Sequence, residues 1–151
     1  SHGGYTDYIY NERYLGYEQA LASQGIPVAT QLVHFIDKQN QTGVFEALES
    51  MMALDDPPTG IFATRDSLVI AALKALKSKH YRIPEDVAVV GFSDNIEVSR
   101  FTDPTLTAAI APVEEMARLG VTQLIRLVNE GSDSPITQTK VDCRILIGES
   151  S

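Results

Sequence analysis

The chain has 151 residues, with 12 Lys and Arg against 20 Asp and Glu, a formal net charge of -8 and a single cysteine. This acidic balance argues against direct contact with nucleic acid, because a polyanion favours clustered cations through counterion release. A content of 44% hydrophobic and 21% charged residues is typical of one globular domain, and the longest apolar stretches are far shorter than the roughly 20 residues that a membrane span needs.

The first third of the chain alternates between helical and extended patterns. Residues 11–24 carry apolar side chains at helical spacing and stop at Gly25, which predicts a helix. Residues 31–36 form a short apolar run between polar neighbours, which predicts a strand. Residues 42–53 again have one apolar face and are followed by the turn DDPPTG, which predicts a second helix.

The middle of the chain repeats this alternation. Residues 60–64 predict a strand, and Asp66 is placed to cap the helix that follows it. After the polar turn IPED, residues 87–92 form the most continuous apolar run in the chain. Such a run predicts a central parallel strand that is covered on both faces.

The last third predicts a short helix over residues 94–101 and a short strand over residues 107–110. Pro112 then opens the most amphipathic helix of the chain. Residues 141–147 alternate in polarity and predict a half-covered strand at a sheet edge. Cys143 falls on the face expected to be covered, where a buried structural thiol is favoured over a reactive nucleophile.

Strands that alternate with helices predict an α/β fold: an open, mostly parallel sheet with helices on both faces. Ligands of such sheets bind at the carboxyl ends of the strands. Residues that follow the predicted strands at that edge are Asp37 to Gln39, Arg65 and Asp66, Ser93 and Asp94, and Ala111. These residues are therefore candidates for a binding site.

No set of residues indicates catalysis, a metal or a cofactor. Residues 91–95, GFSDN, lack the second glycine of a nucleophile elbow. His34 and His80 have no partner histidine at ligand spacing, so zinc is not supported. Neither GxGxxG nor GxxxxGK[ST] occurs. We therefore expect a binding protein without a cofactor, and not an enzyme.

Three blocks of sequence carry a family resemblance. They are PEDVAVVGFSD at residues 84–94, followed by DPTLT at 103–107; NERYLGY at 11–17, followed by QAL; and IFATRD at 61–66. Their order and spacing closely resemble the LacI/GalR family of bacterial transcription regulators. There the strings run P-x-D-[IV]-x-V-V-G-[FY]-D-[DN] and P-x-L-T-T, R-x-x-G-[FW/Y], and F-x-x-N-D. The resemblance covers nearly the whole chain.

The resemblance implies the effector-binding part of a repressor, built like a type I periplasmic binding protein. Residues 3–151 would be a fragment of the effector-binding and dimerisation domain. Residues 3–111 and 139–148 would belong to the C-terminal subdomain, and residues 112–138 would hold a helix that crosses to the N-terminal subdomain. The DNA-binding helix-turn-helix domain is absent from the chain, so DNA would be contacted only through that domain.

The resemblance also implies effector-binding residues. Arg13 stands where the family has its ligand-contacting arginine. The family's Asn and first Asp, which hydrogen-bond sugar hydroxyls, are Arg65 and Ser93 here. Two guanidiniums suit carboxylate or phosphate groups, so the effector implied is a small sugar-like molecule with an acidic or phosphoryl group, oriented in part by Asp94. The equal alternative is that Arg65 pairs with Asp94 or another acid at the strand end.

Partners and location follow from the same resemblance. Ile70 and Phe101 match positions of the family's dimer interface, which implies a homodimer; the alternative for Ile70 is the ordinary core. The runner-up function is a periplasmic-type sugar-binding protein of a transport system, which shares the fold. The single Cys143 and the lack of a basic-then-apolar segment at the start favour a cytoplasmic protein with no membrane partner.

Overall fold

The structure is a computed structural model that describes residues 4–37, 40, 42–130 and 138–151, with side chains from residue 12 onward. In chain order its helices and strands are α1 (Gly4–Ser23), α2 (Thr42–Met52), β1 (Gly60–Ala63), α3 (Asp66–Ser78), β2 (Ala88–Ser93), α4 (Ile96–Phe101), β3 (Thr107–Ile110), α5 (Val113–Glu130) and β4 (Arg144–Leu146). None of the described helices combines the length and the apolar character that crossing a membrane requires.

The four strands form one open sheet in the order β1-β2-β3-β4. β1, β2 and β3 are parallel, with Ala63 opposite Gly91 and Ser93 opposite Ile110, and β4 runs antiparallel to β3. The predicted open, mostly parallel α/β sheet is confirmed. Because the carboxyl ends of parallel strands meet at one edge, the residues that follow β1 and β2 lie together.

Helices cover both faces of this sheet. On one face α3 packs so closely that a Cβ added at Gly91 would lie 2.8 Å from Cγ2 of Val69. The next residue, Phe92, points to the opposite face, where the guanidinium of Arg13 from α1 lies over its ring. The face of β2 under α3 is buried, whereas its other face is only half-buried. The largest fully buried apolar side chains are Leu76, Leu106, Val69, Val87 and Val89.

The strand predicted for residues 31–36 is wrong. Thr30–Leu32 forms a 3-10 turn, and residues 33–37 have no regular secondary structure and belong to no sheet. A cavity of about 510 Å³ is lined on one side by this segment and on the other by residues 60–64 of β1 and its continuation. A strand needs a neighbouring backbone about 4.8 Å away, and here the cavity takes that place.

β4 lies at the sheet edge as predicted, but the side chains of β4 that face the core are those predicted to face outward. Cys143 is exposed and precedes the strand, and Ile145 is 65% exposed. Leu146 packs against the core instead, because β4 pairs with β3 so that Leu146 lies opposite the buried Ala108. A shift of one residue in register turns every side chain to the other face, so alternation alone could not decide the direction.

Two helix predictions are also refined. Asp66 is the first residue of α3 and not its cap; Arg65 occupies the N-cap position and makes no side-chain cap hydrogen bond. α5 starts directly after Pro112 as predicted, and α1 begins earlier than predicted.

No residue of α5 is buried, so its apolar stripe is presented outward. Residues 131–137 of the predicted crossing segment lie outside the described residues.

Candidate functional site

Arg13 joins three elements at the carboxyl edge of the sheet. Its Nη1 donates a hydrogen bond to the carbonyl of Thr64, the residue that continues β1. Its guanidinium carbon lies 3.9 Å from the ring centroid of Phe92 in β2. A cation over an aromatic face is attracted by the ring quadrupole, so this contact and the Thr64 bond fix the guanidinium at the end of both strands.

Arg65 lies at the same edge, but its side chain contacts the irregular segment of residues 33–37. It directly follows Thr64, is half-buried, and its Nη2 donates to the carbonyl of Ile36 at 3.2 Å. This hydrogen bond connects residues 33–37 with the residue that follows Thr64 at the end of β1. The structure therefore brings the two predicted arginines to one strand end, on either side of Thr64.

Ser93 fixes the backbone at the end of β2. It ends β2, is only 1% exposed, and its Oγ donates to the carbonyl of Asn95 at 2.9 Å and accepts from the Asn95 amide at 3.1 Å. The side chain of Asn95 in turn accepts from the amide of Glu97 and caps α4. Ser93 thus fixes the turn from β2 into α4, while Asp94, next to it, is exposed.

Asp66 lies at the same edge; it was predicted as a strand-end candidate and as the cap of α3, but not as an effector-binding residue. It is half-buried, and its Oδ1 is buried without a hydrogen-bond partner. Burial raises the pKa of Asp66 above its ordinary value, the charge of Asp94 adds to the rise, and Ser93 and Arg13 oppose it. The available signal was its position directly after Arg65 at a strand end.

The 510 Å³ cavity opens beside this edge. Its lining includes Arg13 and Thr64 at one end and is otherwise mainly apolar, with Leu32, Ile36, Val44, Leu48, Met51, Ile61, Phe62 and Leu68. Arg65, Ser93 and Asp94 are not among the described residues that line the cavity. Of the four predicted effector residues, therefore, only Arg13 lines the cavity.

The two predicted interface residues are exposed. Ile70 on α3 is 49% exposed and Phe101, the last residue of α4, is 82% exposed, so Ile70 does not belong to the buried core. Within residues 4–37, 40, 42–130 and 138–151, no group of three or more His, Cys, Asp or Glu could hold a metal ion.

This sheet, with its polar carboxyl edge, is the domain type of periplasmic binding proteins. The chain belongs to the family described as periplasmic binding protein-like domain, which matches residues 2–151. Its relatives are LacI-family transcriptional regulators, so the resemblance predicted from the three sequence blocks is confirmed.

Among curated relatives, the chain is 34% identical over 119 residues to a Bacillus subtilis (strain 168) protein named probable HTH-type transcriptional repressor ExuR, covering 79% of the chain and 35% of that protein. It is 32% identical over 139 residues to the HTH-type transcriptional repressor CytR of Escherichia coli (strain K12), covering 92% of the chain and 40% of CytR. The chain thus spans well under half the length of either relative.

Among solved structures, the chain is similar to a sugar-binding transcriptional regulator of the LacI family from Escherichia coli, complexed with phosphate. The TM-score is 0.80 at 28% sequence identity, and the match covers 100% of the chain and 52% of that structure. Together with the curated relatives, this likeness identifies the chain as an effector-binding domain of the LacI regulator type.

Proposed function

We propose that the chain senses a small, sugar-like effector with an acidic or phosphoryl group. The observation that carries this proposal is the pair of guanidiniums at the carboxyl end of β1, where Arg13 and Arg65 flank Thr64. Ligands of open α/β sheets bind at this edge, and planar guanidiniums match the geometry of carboxylate and phosphate groups. Asp94, exposed next to them, would orient hydroxyl groups of the effector or hold the arginines.

The effector would regulate DNA binding by a helix-turn-helix domain outside these residues. The curated relatives named as repressors are more than twice as long as the matched part, which leaves room for such a domain. In this assignment residues 3–111 and 139–148 form one subdomain, and residues 112–138 cross to a second. The outward apolar stripe of α5 supports the crossing, because a helix buries such a stripe against another element.

Dimerisation and place of action complete the proposal. The chain would form a homodimer through the surface that carries Ile70 and Phe101, since large apolar side chains on a surface mark interaction sites. It would act without catalysis, in the cytoplasm, where a regulator meets its DNA. The transcriptional relatives favour this function over that of a transport protein.

Calorimetry tests the choice of effector. Cellobiose, a neutral sugar, is compared with D-galacturonate and glucose 6-phosphate for the wild-type chain and for Arg65→Asn. The proposal predicts that the wild type prefers the acidic probes and that Arg65→Asn reduces the preference about tenfold or more. Arg82→Asn, at the amino end of β2, is the matched control and should keep the preference. Equal binding of neutral and acidic probes would contradict the proposal.

A further inference from the structure

Two positive and two negative side chains gather at the carboxyl edge of the sheet. Arg13 and Arg65 contact the backbone around β1, and the Asp66 carboxyl lies beside Ser93 and Asp94. With all four ionised, their formal charges cancel, and Asp37, which lines the cavity with Arg13, adds a further carboxyl group. An anionic effector would therefore enter a site with no surplus of positive charge to receive it, although the arginines provide suitable donors.

Of the two carboxyls, that of Asp66 is the one whose negative charge is poorly compensated. Its Oδ1 is buried and accepts no hydrogen bond, and burying a charged group costs free energy unless it is paired. A side-chain hydrogen bond with Ser93 lowers the pKa of Asp66, but burial raises it by more, and the Asp94 carboxyl adds to the rise by its charge and by a hydrogen bond. The guanidinium of Arg13 is directed to Thr64 and Phe92, and its charge is the weakest influence on Asp66.

The helix start does not explain this carboxyl. Asp66 lies in the first turn of α3, where the helix dipole favours a negative charge. Burial is the largest cause acting on the pKa of Asp66 and raises it, and the charge of Asp94 adds to the rise. If Asp66 only stabilised the helix, an exposed carboxylate would do so without the cost of burying a charge. Glu97 in the first turn of α4 is exposed in this way.

We propose that Asp66 sets the charge of the effector site by taking up a proton when an anionic effector binds. This inference rests on the proposed acidic effector and names the residue that regulates its binding. Protonation of Asp66 leaves Arg13, Arg65 and Asp94 with a net positive charge, and the protonated carboxyl no longer repels the effector. Affinity for an anion then rises as the pH falls, by at most about tenfold per pH unit for one proton.

Proton uptake is measured directly by calorimetry. D-galacturonate is titrated into the chain at mildly acidic pH, in several buffers of different ionisation enthalpy, for the wild type, Asp66→Asn and Glu97→Gln. The wild type and Glu97→Gln should take up a substantial fraction of a proton per bound galacturonate. Asp66→Asn should take up none, and cellobiose should cause none in any variant.

The outcomes separate this inference from the proposed function. Galacturonate binding without proton uptake, or with uptake that persists in Asp66→Asn, would overturn the role of Asp66 and leave the acidic effector standing. Failure of both acidic probes to bind, with binding of cellobiose, would overturn both. Carbon-13 NMR titration of the Asp66 carboxyl without ligand adds an independent readout: its pKa should fall in Asp94→Asn, and an ordinary pKa in the wild type would also reject the inference.

Discussion

The guanidinium of Arg13 lies 3.9 Å from the ring centroid of Phe92, which joins α1 to the central strand β2. The same guanidinium donates to the carbonyl of Thr64 at the end of β1. One side chain therefore connects a helix with two strands at the edge where the effector is proposed to bind. The aromatic ring positions the guanidinium at this edge without adding a negative charge.

Phe92→Leu tests this contact. Leucine keeps an apolar side chain but removes the ring face, so the free energy of unfolding should fall by about 1 kcal/mol, measured by urea denaturation. The matched control is Phe62→Leu on the neighbouring strand, where the ring is 41% exposed. Combined with Arg13→Gln, the Phe92 substitution should show a coupling energy. Strictly additive effects of the two substitutions would contradict a direct contact.

Gly91→Ala tests the packing of α3 on β2. The added methyl would lie 2.8 Å from Cγ2 of Val69 and 3.0 Å from Cδ2 of Leu106, in the buried core. Overpacking of this kind should lower the free energy of unfolding by about 1 to 3 kcal/mol. Gly60→Ala in β1 meets no atom within 4 Å and should be neutral or slightly stabilising. Equal stability of the two variants would mean that α3 does not approach β2 so closely.

Asp66→Asn tests the cost of the buried carboxyl. Because the folded-state pKa of Asp66 is raised, folding favours its protonated form, and the carboxylate reduces stability once the pH exceeds that folded pKa. Asp66→Asn should therefore be more stable than the wild type near neutral pH, and the difference should shrink as the pH falls. Thermal unfolding measured across pH tests both expectations, the higher stability of the variant at neutral pH and the smaller difference at low pH. A variant less stable than the wild type at neutral pH would show that the carboxylate stabilises the folded chain.

Asp86→Asn should show the opposite dependence. Its bidentate contact with Arg82 lowers the pKa of Asp86 to about 2, so the ionised carboxylate stabilises the folded chain. That stabilisation is present above the unfolded pKa and is lost as the pH falls through about 2. The variant should be less stable than the wild type at neutral pH and equal to it in strong acid. A difference that persists in strong acid would point to a role other than charge.

Phe101→Glu tests the dimer surface. A charge in place of a side chain that is 82% exposed cannot disturb the core, but it would be buried in the proposed interface. Sedimentation equilibrium at micromolar concentration should show a dimer for the wild type and monomers for Phe101→Glu and Ile70→Glu. Ile147→Glu, on the exposed face of β4's end, should remain dimeric. A wild-type monomer, or a dimer that survives Phe101→Glu, would reject this surface.

The sequence was sufficient for the fold wherever a pattern reports on one element alone. Residues 42–53 and 60–64 have the predicted structure because an apolar face or a short apolar run depends on their own side chains. Residues 31–36 were mispredicted because a strand needs a partner backbone, which a local pattern cannot supply. Cys143 was assigned to the wrong face because the direction of β4 depends on its register with β3.

The candidate site was predicted only in part, for a similar reason. Its position at the carboxyl edge follows from the order of strands and helices, and Arg13 and Arg65 follow from the family resemblance. The burial of Ser93 and the unpaired oxygen of Asp66 depend on how β2, α3 and α4 pack around one turn. No sequence pattern encodes that packing, so these two roles emerge only from the structure.

We propose that an acidic effector binds at the carboxyl edge of β1 and β2. The most direct measurement is an NMR titration of the isotope-labelled chain with D-galacturonate that follows backbone amides and arginine Nε signals. We expect saturable shifts at Arg13, Arg65 and Asp94, with the amides of β4 unchanged. Shifts confined to β4 or α5, or no saturable shift at the arginines, would contradict it.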